Sequence, residues 1–216
     1  MERIGVIIPT RGDRPEFMAQ ALKLLERQTL QPSHVEIVTD VPVNQKKDIT
    51  RRYRLGCERA FAKGMDVVIF IEDDDYYDSD YIRLMMEAWN AAGKPDVFGI
   101  GETTYYHLGL RNRNHQKHID RASAFCTMIS KLPTFPRDEE SFTDIHIWKN
   151  STNKKTCLFP KPIAIGIKHG IGLCGGIGHS KAMSGYRNPD PDLSWLRANV
   201  DPESFAFYES ISNRVR

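Results

Sequence analysis

Cysteine is scarce in this chain: four residues in 216, at positions 57, 126, 157 and 174. None forms a C-x-x-C pair, which argues against a zinc knuckle or a thioredoxin-type dithiol and leaves a reduced, cytoplasmic chain as the expectation. No apolar run approaches the ~18 residues that a membrane span requires. No basic-then-apolar leader opens the sequence, so a soluble protein is expected. Net charge is only +2, which rules out an overall polyelectrolyte character. There is no internal repeat and no low-complexity tract. What remains is a chain of ordinary globular composition, with a length that fits one domain.

The charge that is present is unevenly placed. Basic residues gather at 46–59 and 107–121, acidic ones at 72–80 and 138–144. The hydrophobic pattern alternates between strand-like and helix-like. Residues 4–9 read as a buried strand ended by Pro9. A polar turn follows, and Pro15 suits the first position of a helix. Phe17, Ala21, Leu24 and Gln28 share one face, which predicts an amphipathic helix over 15–28. Residues 35–39 are a second strand ending at Asp40. A basic helix is expected over 48–63, with Leu55, Ala60 and Phe61 inward. Val67, Val68, Ile69, Phe70 and Ile71 form the cleanest buried strand. Ser79 is expected to cap the next helix, and a short strand follows at 97–100. This order predicts an α/β fold with a mixed, mostly parallel sheet flanked by helices. Beyond residue 101 the pattern weakens to a possible strand at 122–130, a short helix at 140–149, a strand at 163–167, a glycine-rich run to 178, and a proline- and aspartate-rich tail that wraps over the surface.

The strand at 66–71 runs into Glu72, Asp73, Asp74 and Asp75. Four successive carboxylates repel one another unless a cation neutralises them. In an open parallel sheet, ligand crevices lie beyond the carboxyl ends of strands. Alternation points Glu72 and Asp74 to one side, and hard oxygen donors suit Mg²⁺ or Mn²⁺. A solvated acidic turn that caps the next helix is the competing reading, with equal weight.

The first hundred residues resemble the nucleotide-binding half of a family 2 glycosyltransferase, which has the GT-A fold. The resemblance is carried by Pro9-Thr10-Arg11 after the first strand, by Asp40 after the second, by the helix with Arg52 and Gly56, and by the run from Lys63-Gly64 through the apolar strand to Glu72-Asp73-Asp74-Asp75. It implies a single GT-A domain, with 1–101 as the nucleotide-sugar half and 102–216 as the acceptor half and closing loop. It further implies that Pro9, Thr10, Arg11, Arg14, Arg52 and Asp73 border the nucleotide-sugar pocket and that Asp40 hydrogen-bonds the base, with a uridine diphosphate donor favoured. Glu72 stands where the family has its first motif aspartate, a departure. The resemblance makes Asp74 the expected direct ligand of Mn²⁺ or Mg²⁺, joined by Glu72. Thr143-Asp144-Ile145-His146-Ile147-Trp148 resembles the segment that holds the family's catalytic base, with threonine in place of the usual first acid. Asp144 is then the general base of an inverting transfer; a helix-start cap is the plain alternative. A loop after the base closes over the diphosphate in the family, which makes His169 and His179 candidates for the diphosphate or the metal.

Gly170-Ile171-Gly172-Leu173-Cys174-Gly175 satisfies G-x-G-x-x-G but has no helix-forming sequence after it, so it reads as a loop rather than a dinucleotide site. The stretch 107–121 reads as a solvated loop, or as a basic surface for an anionic acceptor. The acceptor is therefore expected to be a glycan or small molecule, with nucleic acid a live alternative. Two other classes stay open: a non-catalytic relative that binds nucleotide sugar, and a nucleotidyltransferase of the pyrophosphorylase type. The single glycine of Thr10-Arg11-Gly12-Asp13-Arg14 counts against the latter.

Overall fold

The computed structural model describes residues 2–41, 47–170 and 185–215. His179 and the glycines from 172 to 178 lie outside the described residues.

Strand β1 (Ile4–Pro9) is buried at every position and forms the middle of a parallel trio. Helix α1 (Pro15–Glu26) connects it to β2 (His34–Val38), and α2 (Ile49–Ala62) connects β2 to β3 (Val67–Phe70). Both β2 and β3 pair with β1 in parallel, one on each edge. The chain therefore reverses its direction of travel across the sheet between β1 and β3, and a crevice opens there beyond the strand ends. The sheet continues through β8 (Thr127–Ile129), β5 (Val97–Ile100) and β9 (Lys154–Cys157), in the order β2-β1-β3-β8-β5-β9. Only β8 runs against its neighbours.

A second sheet has the order β11-β7-β6-β10-β4. Its strands are β4 (Tyr76–Tyr77), β6 (Glu102–His107), β7 (Asn112–Lys117), β10 (Ala164–Lys168) and β11 (Asn188–Pro189). The expected basic loop at 107–121 is thus half of an antiparallel hairpin, with Glu102 opposite Lys117 and His107 opposite Asn112. Its polar alternation hides the strand, because pairing runs through the backbone and neither side-chain face enters the main core.

Helix α3 (Tyr81–Ala91) buries Ile82, Met85, Met86 and Trp89 as expected, but its cap position is Asp80 rather than Ser79. In α2 the buried face carries Arg52, Tyr53, Gly56, Cys57 and Ala60, while Leu55 and Phe61 are half-buried. Helix α4 (Thr143–Asn150) seats Ile147 and Trp148 in the first core. The tail is not a surface wrap. It forms α5 (Ser194–Asn199) and α6 (Pro202–Arg214). Asp201 caps α6 by accepting from the backbone N–H groups of Glu203 and Ser204, and Pro202 occupies its first turn. Leu196, Phe205, Tyr208 and Ile211 then close a second core against Tyr106, Ile165 and Ile167 of the second sheet and Phe17 and Leu24 of α1. Among the described residues no helix is long and apolar enough to cross a membrane.

Candidate active site

The carboxyl ends of β1 and β3 meet at a cleft of about 500 Å³, bordered by the loop after β1, the start of α2, the acidic turn and the start of α4. The hydrophobic strand β3 fixes where the acids begin, and strand geometry stops at Phe70. The chain then turns, so the carboxylates separate into two environments.

Asp73 faces β1. Thr10 donates its hydroxyl to Asp73 at 2.6 Å, and Arg14 donates to its other oxygen at 2.7 Å. Glu72, Asp74 and Asp75 face together, with carboxylate oxygens within 4.8 Å of one another, a spacing that one cation can span. Alternation anticipated Glu72 and Asp74; the turn adds Asp75. The Tyr53 hydroxyl donates to Glu72 at 2.6 Å. Asp75 accepts from the Ile167 N–H at 2.7 Å and lies 3.9 Å from Lys168 Nζ. Its second oxygen is buried and has no hydrogen-bond partner among the described residues. Three hard oxygen donors, one of them unsatisfied, suit a divalent cation.

Asp74 has the densest surroundings. Arg14 donates to Asp74 Oδ2 at 2.5 Å. His169, fully buried at the end of β10, places Nε2 2.9 Å from that oxygen and 2.9 Å from Arg14 Nη1. The His169 ring packs on Phe17 of α1 with centroids 4.4 Å apart. Burial pushes the Glu72, Asp73 and Asp75 carboxyls above the usual range. Burial acts on Asp74 in the same direction but is outweighed by the His169 hydrogen bond and by Arg14 and Lys168, which hold it below its ordinary value. Burial opposes the charge on Lys168, yet Asp75, Asp74 and Glu72 together raise its pKa.

The remaining expected residues have distinct positions. Arg11 donates to Asp48 at 2.5 and 3.0 Å on the cleft wall. Arg52 is buried and bonds the carbonyls of Thr10, Val38 and Asp40 at 2.6–2.8 Å and the Asp48 carboxylate at 2.9 Å. It thereby ties the ends of β1 and β2 together and borders the cleft. Pro9 also lines the cleft. The Asp40 carboxylate does not: Arg59 grips both of its oxygens, at 2.7 and 2.8 Å. Asp144 stands in the first turn of α4 on the opposite wall, with Arg121 donating to it at 3.0 Å. Burial raises the Asp144 carboxyl above its ordinary value, against the opposing charge of Arg121. Glu72, Tyr53 and Asp144 all border the one cleft.

Helix α4 is anchored by a Thr50–Thr143 hydroxyl contact and by the Thr50 hydroxyl donating to the Glu140 carbonyl at 2.7 Å. Phe142, just before α4, has φ 61° and ψ 49° and is 71% exposed. A left-handed conformation costs a residue with a Cβ roughly 1–2 kcal/mol. Sequence reasoning missed Asp48, Tyr53 and Phe142 as cleft residues. Asp48 and Tyr53 carry no local signal, because they join the cleft through Arg11 and Glu72, which lie in distant segments.

No family model and no curated protein matches this sequence. The fold is similar to that of S. aureus TarS. The structure of TarS 1–349 in complex with UDP-GlcNAc superposes with a TM-score of 0.53 at 13% identity, over 77% of this chain and 58% of that one. The TarS 1–349 complex with UDP gives 0.53 at 14% identity, over 76% and 60%. A longer TarS structure gives 0.51 at 12% identity, over 76% and 36%. This chain therefore spans between about a third and three-fifths of the length of those TarS structures. At such identity the likeness to TarS is one of fold, and the single mixed α/β domain with a mostly parallel sheet flanked by helices is the one expected from the sequence.

Proposed function

We propose that this chain is a metal-dependent, inverting glycosyltransferase of family 2 type that moves a sugar from a uridine diphosphate sugar to an acceptor hydroxyl. The observation that carries this reading is the meeting of two acidic walls across one cleft: Glu72 and Asp74 after β3, with Asp75 close enough to share an ion with them, and Asp144 at the start of α4. The likeness to TarS, whose structures hold UDP-GlcNAc and UDP, supports the choice of donor class.

Glu72, Asp74, Asp75 and His169 would hold Mn²⁺ or Mg²⁺; when bound, such an ion stabilises the charge that gathers on the departing diphosphate. Thr10 and Arg14 hold Asp73 and Asp74 in place before the donor arrives, and Arg14 and Lys168 supply positive charge around the diphosphate. Asp144 takes the acceptor's hydroxyl proton. The acceptor oxygen forms a bond to the anomeric carbon as the bond from that carbon to the β-phosphate oxygen breaks, and the electron pair leaves with uridine diphosphate. Burial raises the proton affinity of Asp144, which strengthens it as a base. Asp40 is paired with Arg59, while Arg11 and Asp48 border the cleft and offer further polar groups to the base.

One feature favours a second reading, a binding protein without turnover. Both key carboxylates are engaged by arginines, Asp74 by Arg14 and Asp144 by Arg121. One experiment separates the two: release of nucleoside diphosphate from a panel of nucleotide sugars, with Mn²⁺, Mg²⁺ or EDTA, for the native chain, Asp74→Asn and Asp144→Asn. Release from one donor that needs metal and is lost in both variants supports the transferase. Tight metal-dependent nucleotide binding with no release, even with acceptor mixtures present, supports the binding protein. Failure to bind any nucleotide sinks both.

A further inference from the structure

Phe142 is out of place on folding grounds. Its backbone is left-handed, a conformation that favours glycine or asparagine, and its ring is 71% exposed, so packing returns little for the strain. Strain of this kind gathers at functional positions. Phe142 lies two residues before Asp144 and borders the same cleft, and Ile145, 40% exposed, borders it too. An apolar platform therefore flanks the carboxylate assigned as the base. Gln116, Ser123 and Ser141 supply neutral polar groups to the same cleft.

Among the described residues, the arginines and the lysine of the β6–β7 hairpin, together with Arg121, are already engaged. Lys117 is 2.7 Å from Glu102, and Arg121 pairs with Asp144. Arg111 bonds Ser212, Asn213 and the Pro191 carbonyl, and Arg113 stacks over Trp195 at 4.5 Å. A polyanionic acceptor draws its affinity from several cations free to meet phosphates, and this hairpin does not offer them.

Resting on the transferase reading above, we propose that the acceptor is a neutral sugar ring of a glycan, stacked on Phe142 with one hydroxyl turned to Asp144. The C–H face of a pyranose carries slight positive charge and meets the negative face of the aromatic ring, while its hydroxyl rim suits neutral hydrogen-bonding side chains.

The test is saturation-transfer NMR and calorimetry in UDP and Mn²⁺, with methyl glucopyranosides, methyl N-acetylglucosaminides and their disaccharides as neutral probes, and (dT)₂₀ and heparin as anionic ones. The native chain is expected to bind a neutral probe, with saturation strongest on its C–H face. Phe142→Asn is expected to weaken that binding at least tenfold while raising Tm by about 2–4 °C, because asparagine tolerates the backbone that phenylalanine does not. Phe142→Tyr keeps the binding. Unchanged glycoside binding in Phe142→Asn, or a fall in its Tm, overturns the proposal. So does binding of only the anionic probes, or of UDP with no neutral glycoside. If UDP itself does not bind the native chain, the transferase reading falls with it.

Discussion

His169 Nε2 lies 2.9 Å from Asp74 Oδ2, although 95 residues separate them in the chain. Two donor atoms at that separation can share one cation, and Arg14 Nη1 sits within reach of both. The guanidinium therefore occupies the charge-balancing role at this point, and metal and Arg14 are predicted to compete for it. Arg14→Gln leaves Asp73 and Asp74 without their shared cation, at a cost of about 3–5 kcal/mol if the site behaves as a fully buried pair and less because Arg14 is partly exposed. Thermal unfolding in EDTA should show Tm lowered by several degrees, and Mn²⁺ should raise the Tm of the variant more than that of the native chain. An equal metal effect on both would contradict the competition.

The acidic limb of the kcat/KM profile is predicted to report Asp144. The carboxylate is the active form, so the rate rises with pH. Because burial raises its pKa, the limb lies above the usual aspartate range. Arg121 opposes that rise, so Arg121→Gln should move the limb to still higher pH. A limb that stays put or moves down would assign the base elsewhere. Asp144→Asn should reduce transfer by about 10²–10⁴-fold.

Tyr53→Phe removes the one side-chain donor that the structure gives to Glu72 among the described residues. Leaving that half-buried oxygen unmatched costs at most about 1–3 kcal/mol. A drop in Tm together with a weaker nucleotide affinity by titration is the expected pair of results. A lower Tm with unchanged affinity would confine Tyr53 to a structural role.

Gly99 lies beneath the cleft wall. A Cβ there would stand 2.5 Å from the Cys126 carbonyl oxygen and 2.6 Å from the Ala122 Cβ. Gly99→Ala must displace the 122–126 segment, which carries Ser123 and Phe125 on the cleft. The expected cost is about 1–3 kcal/mol, read as a lower denaturant midpoint. An unchanged midpoint would mean that the segment yields freely.

Much of the first half was legible from residues alone. β1, α1, β2, α2 and β3 are local hydrophobic patterns, and the acids that follow β3 had to sit at a strand's end because the apolar run stops there. The second half was less so. β7 is polar on both faces and is held by backbone pairing with β6, so side-chain alternation says nothing about it. The helix at 202–214 did carry its signals, Asp201 as cap and Pro202 at the first turn, but they stand inside a proline- and aspartate-rich stretch that reads equally well as a loop.

The sequence by itself determined the α/β order, the parallel trio of strands and the place of the acidic cluster, because periodicity and turn chemistry act over a few residues. Only the tertiary structure decided which charges meet. It paired Asp40 with Arg59 away from the cleft, turned Asp75 in beside Glu72 and Asp74, brought His169 onto Asp74, and set Asp144 on the facing wall. Those outcomes depend on how β1, β3, β10 and α4 converge in space, and the electrostatic energy of a buried carboxylate is set by such neighbours rather than by its place in the chain.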